Sequence, residues 1–196
     1  MPLIRMATEK DAAAVLAIYG PFCESTVISF EYEPPSIDDV ASRITNVTTH
    51  SPWLVLDDRG VIGYAYASRH RERAAYAWSI DTAVYIHPAH HRRGVGRALY
   101  TALFHLLRRQ GYFKAFAGVT LPNPASVGLH RAMGYQPVGV YRGVGYKHGA
   151  WRDVAYFQLM LQPERLDPAP PRPVGALADS IDWATAVETG LAEYRQ

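Results

Sequence analysis

Cysteine is almost absent from this chain. Its one copy, Cys23, cannot close an internal disulfide, and it lies between Phe22 and Glu24 with no nearby metal-binding partner, so it reads as a small core residue. Long apolar runs are missing too: none approaches the roughly 20 residues of a membrane span, and Met1-Pro2-Leu3-Ile4-Arg5 has neither the basic flank nor the apolar stretch of a signal peptide. The expectation is a soluble, cytoplasmic protein. Nor is there an excess of one charge. Twenty basic and 18 acidic residues leave a net +2, spread without blocks, which indicates neither a nucleic-acid nor a membrane partner. No unit repeats at solenoid spacing, and no P-loop Gly-Lys-Ser/Thr occurs. His87, His90 and His91 flank Pro88 without carboxylate or cysteine partners, so they read as a solvated loop and no metal is expected.

What is present suffices for one compact domain, since 48% of the 196 residues are hydrophobic and can build a sizeable core. Capping signals at Thr8-Glu9-Lys10-Asp11 and Ser36-Ile37-Asp38-Asp39 introduce helices over about 9–19 and 37–47. A strand over 3–6 precedes them, and a hairpin of 53–56 and 61–68 follows, turning at Asp57-Asp58-Arg59-Gly60. A central strand is predicted over 76–87, stopped by Pro88. Val95, Leu99, Ala102, Leu103, Leu106 and Leu107 then trace one face of a helix ending before Gly111. A strand over 113–120, a helix over 125–133 and two strands over 135–146 and 151–161 complete the order β-α-α-β-β-β-α-β-α-β-β, an α/β domain with a mixed sheet. Residues 1–162 are expected to form this domain. Residues 163–196 begin with Pro168, Pro170, Pro171 and Pro173 as a stiff linker and end in a weakly periodic helix over 176–194.

The chemistry-bearing stretch is Arg92-Arg93-Gly94-Val95-Gly96-Arg97, between the central strand and the amphipathic helix. Unpaired backbone N–H groups and the helix dipole at such a turn can hold a phosphate, two glycines permit close approach, and three arginines add positive charge. A dinucleotide site would want a third glycine and an acidic residue roughly 20 positions on, which are lacking.

This stretch resembles the acetyl-CoA signature of the GNAT superfamily of N-acetyltransferases: Gln or Arg, two residues, Gly, one residue, then Gly or Ala. Further stretches, in order, resemble the phosphinothricin N-acetyltransferases: Trp53-Leu54-Val55, Arg71-Glu72-Arg73-Ala74-Ala75-Tyr76, Val84-Tyr85-Ile86, Asn123-Pro124-Ala125-Ser126, Leu129-His130, and Gly145-Tyr146-Lys147-His148-Gly149-Ala150-Trp151-Arg152-Asp153-Val154. The resemblance covers roughly residues 3–162. It implies the GNAT fold, a mixed central sheet flanked by helices, with acetyl-CoA as cosubstrate and no metal.

The resemblance also implies roles. Backbone groups of Val84, Tyr85 and Ile86 would meet the pantetheine arm and thioester, and fixed donors of that kind are worth about 3 kcal/mol each in other acyl-transfer enzymes. Arg92, Arg93, Gly94, Val95, Gly96 and Arg97 would hold the pyrophosphate. Asn123 and Ser126 would touch coenzyme A, or simply cap a helix. A base is needed because an amine with a pKa of roughly 8 is largely protonated. The family has glutamate where this chain has Asp81, one methylene shorter, so Asp81 is the expected base, directly or through a water. His130 is the second ionisable candidate. Arg71, Arg73 and Tyr76 resemble a substrate-recognition stretch suited to an acidic acceptor; Phe30 matches an aromatic near the acceptor and Lys147 would add positive charge, or both are simply core or surface residues. A homodimer is implied. The expected reaction is direct acetyl transfer to the amine of a small amino-acid-like molecule such as phosphinothricin or methionine sulfoximine. The alternatives are another primary amine, as in a polyamine or a protein terminus, and a non-catalytic acetyl-CoA-binding module.

Overall fold

The computed structural model describes residues 1–178 and 180–195. Asp179 and Gln196, which the expected tail included, lie outside the described residues. The strands are β1 (Leu3–Met6), β2 (Trp53–Asp57), β3 (Val61–Arg69), β4 (Ser79–Ile86), β5 (Lys114–Thr120), β6 (Gln136–Lys147) and β7 (Ala150–Met160), and the helices are α1 (Ala12–Ser25), α2 (Ile37–Thr48), α3 (Val95–Gln110), α4 (Pro124–Ala132) and α5 (Ile181–Leu191). They build one seven-stranded sheet in the order β1-β2-β3-β4-β5-β7-β6. β4 and β5 run parallel and the other neighbours antiparallel. The expected mixed sheet is the one observed.

Alternation along each strand divides the core in two. In β2, Leu54 and Leu56 face α3, packing with Leu99, Leu103 and Leu107, whereas Trp53 and Val55 face α1 and α2 through Val15, Ile18, Val40 and Ile44. A strand buried on both faces reads as a continuous apolar run, which Trp53-Leu54-Val55-Leu56 does. Each fully buried leucine contributes about 1.5–3 kcal/mol.

Three boundaries differ from expectation. α1 continues past Tyr19 to Ser25 with Pro21 inside it. Proline removes one helical N–H, but Cys23 is fully buried beyond it and keeps the helix on the sheet. The central strand starts at Ser79, because Ala74–Tyr76 wind into a 3-10 turn. In the tail, Val174–Leu177 form another 3-10 turn and α5 starts at Ile181, where Ser180 caps it by accepting from Trp183 N at 3.2 Å. The Pro-rich run is tied down as well: Gln110 donates to His50 O and Arg172 O, each at 2.7 Å. Trp183, Val187 and Leu191 pack against the core through α3. No described helix is long and apolar enough to cross a membrane.

Candidate functional site

The parallel pairing of β4 with β5 covers only Ser79–Asp81 against Lys114–Phe116. Beyond that point the two strands part, and β4 runs on to Ile86 with its β5-side edge free of strand pairing. A cavity of about 450 Å³ opens along this edge, lined by Val84, Tyr85 and Ile86, by His90, His91, Arg92, Gly94, Val95, Gly96 and Arg97, and by Asn123, Ala125, Ser126 and Leu129. The turn at its mouth carries two residues in the left-handed region, Arg92 (φ 67°) and Gly94 (φ 78°). For arginine that conformation is unfavourable, and it aims successive N–H groups into a concavity suited to an anion. Gly94 supplies no side-chain cap to α3, so the first-turn N–H groups of a 16-residue helix lack that partner.

Most residues expected around the cofactor therefore line one cavity. Arg93 does not; its carbonyl accepts from Arg195 N at 2.9 Å. Asn123 does both jobs considered for it, lining the cavity while accepting from Ser126 N at 3.1 Å as the cap of α4. His90 and His91, read from sequence as a solvated loop, are part of the wall, and His91 Nε2 lies 3.2 Å from Ile86 O. Counted back from Gly94 and Gly96, the first position of the glycine signature falls on His91 rather than Arg92. The tail reaches the same mouth. Glu193 and Arg195 line it, Glu193 Oε2 sits 3.0 Å from Arg97 Nε, and Tyr194 Oη donates to Asp58 at 3.0 Å. Glu193 O lies so close over Gly94 that a Cβ there would approach it to 2.1 Å.

A second cavity, about 620 Å³, lies between the α1–α2 connection and the β5–β7–β6 part of the sheet. It is lined by Tyr19, Ile28, Ser29, Phe30, Glu31, Tyr85, Gly118, Thr120, Val144, Val154 and Tyr156. Ile28 and Tyr85 belong to both cavities, so the two meet at the middle of the fork. Tyr85 is enclosed by Tyr19, Phe22 and Tyr64 at ring-centroid distances of 5.1, 5.4 and 5.3 Å, and burial pushes its hydroxyl pKa well above the ordinary range. Glu31 is the one carboxylate of this wall, and it is already engaged: Arg43 donates to it at 2.7 Å and Tyr19 at 3.1 Å.

The remaining expected residues divide. Phe30 lines the second cavity. Lys147 does not supply charge there. It is 1% exposed, and its ammonium donates to Cys23 O at 2.6 Å and to Ser29 O and Glu31 O at 2.7 Å, which uses all three of its protons. It is a pin for the segment after α1. Arg71, Arg73 and Tyr76 are exposed in the β3–β4 connection and line neither cavity. His130 is buried on the α3 face of the sheet. Its Nδ1 faces Ser126 O at 2.8 Å and its Nε2 faces Tyr100 Oη at 3.1 Å, so both nitrogens are occupied, and burial lowers its pKa, which favours the neutral ring.

Asp81 points to the opposite face, since its neighbours Ile80 and Thr82 are turned towards α3, Thr82 Oγ1 donating to Phe116 O at 3.0 Å. It lies two alternations before Tyr85 on the same face, at the last paired position before the strands part, and like Arg71 and Arg73 it lines neither cavity. Burial raises the pKa of its carboxyl, against smaller opposing effects of His70 and Arg71. Its partner is His70, whose Nδ1 is 2.7 Å from Asp81 Oδ1. Among the described residues no group of three His, Cys, Asp or Glu side chains could hold a metal ion.

The acetyltransferase (GNAT) domain model matches residues 4–155. The chain is 40% identical over 172 residues to a phosphinothricin N-acetyltransferase of Streptomyces viridochromogenes, covering 87% of this chain and 92% of that one. It is 32% identical to an L-methionine sulfoximine/L-methionine sulfone acetyltransferase of Salmonella typhimurium, over 81% and 94% of the two. A phosphinothricin acetyltransferase from Sinorhizobium meliloti, solved in complex with acetyl-CoA, superposes with a TM-score of 0.80 at 31% identity, covering 88% of this chain and 98% of that one.

Proposed function

We propose, for a chain that belongs to the GNAT family of acetyl-CoA-dependent acetyltransferases, that it acetylates the free amine of a small amino-acid-like acceptor of the phosphinothricin or methionine sulfoximine type. The observation that carries this reading is the meeting of two cavities at Ile28 and Tyr85, one running to a cationic glycine turn and the other walled on one side by the α1–α2 connection. Acetyl-CoA fits the first cavity by three features: the free edge of Val84–Ile86, the uncapped start of α3, and Arg92 with Arg97 at the mouth. When bound, it supplies an acetyl thioester that a neutral amine attacks, the thiol leaving with a proton. The names of the relatives from Streptomyces viridochromogenes and Salmonella typhimurium support the acceptor class.

In this reading the backbone of Val84–Ile86 aligns the thioester and offers fixed donors to its carbonyl oxygen. Asp81 takes the proton of the acceptor's ammonium, directly or through a water. No acetylated residue is required, and Cys23 is fully buried. His130 acts through the packing of α4. Arg71 bears on Asp81 and stands exposed, as Arg73 does, so that either can meet an acidic group of the acceptor. A polyamine is the less favoured acceptor, because the carboxylate of Glu31 is already held by Arg43 and Tyr19. The enzyme acts in the cytoplasm as a homodimer, joined through edge strand β6, where Val138, Val140, Tyr141, Val144 and Tyr146 are exposed. An apolar stripe of that kind on a sheet edge calls for a cover, and Val144 brings a second copy close to the acceptor cavity. Light scattering at the mass of a single chain would refute the dimer.

The tail bears on cofactor affinity. Glu193 neutralises Arg97 at the place where a phosphate would sit. A Glu193→Gln variant is expected to bind acetyl-CoA about 1.4- to fivefold more tightly by calorimetry, since exposed pairs are worth about 0.2–1 kcal/mol, with a gain that shrinks as salt rises. An unaltered dissociation constant would mean that Arg97 does not meet the cofactor's phosphates.

The function is tested by coenzyme A thiol release from acetyl-CoA with phosphinothricin, methionine sulfoximine, spermidine or no acceptor. Release with the acidic analogues alone is expected. Release with spermidine moves the acceptor class, and release with none, despite cofactor binding, leaves a binding module.

A further inference from the structure

We propose that His70 is the positioning residue of Asp81, and that the two side chains work as one proton-accepting pair at the apex of the fork between β4 and β5. The inference rests on the reading of Asp81 as the base. His70 directly follows the end of β3, whose last residue, Arg69, pairs with Ile80. That register brings the imidazole beside Asp81, with Nδ1 2.7 Å from Oδ1.

The ring is fixed from two other directions. Its face stacks on Phe116 with centroids 4.3 Å apart and planes at 15°, and its plane meets Tyr76 at 70° and 5.8 Å. Phe116 is itself the β5 partner of Asp81, so one residue backs the histidine and closes the strand pairing. The exposures are unequal: 15% for the His70 side chain and 44% for that of Asp81. The imidazole is thus a shielded clamp and the carboxylate is the accessible member. Oδ1 is taken by His70, while Oδ2 makes no hydrogen bond among the described residues. A short carboxylate on a strand has little reach, and what a clamp adds is orientation: Oδ2 is presented to one side with its rotamer set.

The other ionisable groups bearing on Asp81 are Arg71, from the β3–β4 connection, Tyr66 of β3, and Tyr135 after α4. Arg71 and the tyrosine hydroxyls leave the pair to accept the proton. In the step, one proton leaves the acceptor's ammonium for Asp81 Oδ2, directly or through one water, and the lone pair stays on nitrogen. The Nδ1–H···Oδ1 bond favours the ionised carboxylate beforehand. The proton then passes to solvent along the exposed side of Asp81, and the pair is restored.

Two variants and a spectrum test this. His70→Phe keeps the stack on Phe116 but has no donor, whereas His70→Asn returns an N–H near the place of Nδ1. In His70→Phe, kcat is expected to fall about tenfold or more and the acidic limb of the rate profile to move up by about one pH unit, because a donor to the ionised form is lost. The acetyl-CoA dissociation constant should stay unchanged, and His70→Asn should recover both kinetic properties. In the protein without acetyl-CoA, nitrogen-15 spectra should show His70 protonated at Nδ1, with that proton's hydrogen-bonded signal lost in Asp81→Asn. If His70→Phe keeps the parental limb and rate while Asp81→Asn is inactive, the inference fails and the base stands. If Asp81→Asn turns over like the parent, both fail. Should His70→Phe melt early, an Nε2–H tautomer in the parent would overturn the proposal.

Discussion

An Asp81→Asn variant is expected to bind acetyl-CoA as the parent does and to turn over about a hundred- to ten-thousandfold more slowly, the usual contribution of a positioned base. The asparagine side chain keeps the size and polarity of the aspartate, so the fork between β4 and β5 should close in the same way. What it loses is the capacity to accept a proton. The pH dependence has a definite sign. The base works only when ionised, and burial raises its pKa above the ordinary carboxylate value more than His70 and Arg71 lower it. Activity in the parent is therefore lost as pH falls through a value above the usual aspartate range, and the residual activity of the variant should lack that limb. Steady-state rates from pH 4 to 9 with a saturating acidic acceptor, together with calorimetry of acetyl-CoA, check both parts. Parental turnover would remove Asp81 from the chemistry.

The order of elements was legible because the strands and helices of this domain carry their own periodicity: Trp53-Leu54-Val55-Leu56 reads as a strand buried on both faces, and the leucines of α3 mark one stripe. The glycine turn was legible for the same local reason. What escaped lay in relations between distant segments. The apolar spacing that marks α1 ends at Tyr19, while the burial of Cys23 that carries the helix on to Ser25 is tertiary. His70 carries no signal of its own; only the antiparallel register of β3 on β4, with Arg69 opposite Ile80, sets it beside Asp81. The reach of Glu193 to Arg97 spans the whole length of α5 and could not be read from a weakly periodic tail. For Lys147 the sequence leaves a charge beside the acceptor and a core position both open, because a position within a family stretch says that a charge is there, not whether it is buried.

Lys147 accordingly gives the second large effect, and it falls on stability. Its ammonium is enclosed and donates to three backbone carbonyls spread over nine residues, Cys23 at the end of α1 and Ser29 and Glu31 in the connection to α2. In Lys147→Met the stem is replaced by one of similar volume, but three carbonyls lose their donor at once. An unsatisfied buried acceptor costs about 1–3 kcal/mol; release of a buried charge offsets part of this, leaving a net loss of about 3 kcal/mol. For a chain of this size each kcal/mol lowers Tm by about 2–4 °C, so a fall of roughly 6–12 °C is expected by calorimetry. Lys147→Arg should not rescue it, because a planar guanidinium cannot aim three donors at carbonyls placed around a single nitrogen. The released segment includes Ile28 and Phe30, walls of the acceptor cavity, so KM for the acceptor should rise more than KM for acetyl-CoA. A lysine that merely attracted an acidic substrate would also raise the acceptor KM but leave Tm unaltered, and that result would return Lys147 to the binding surface.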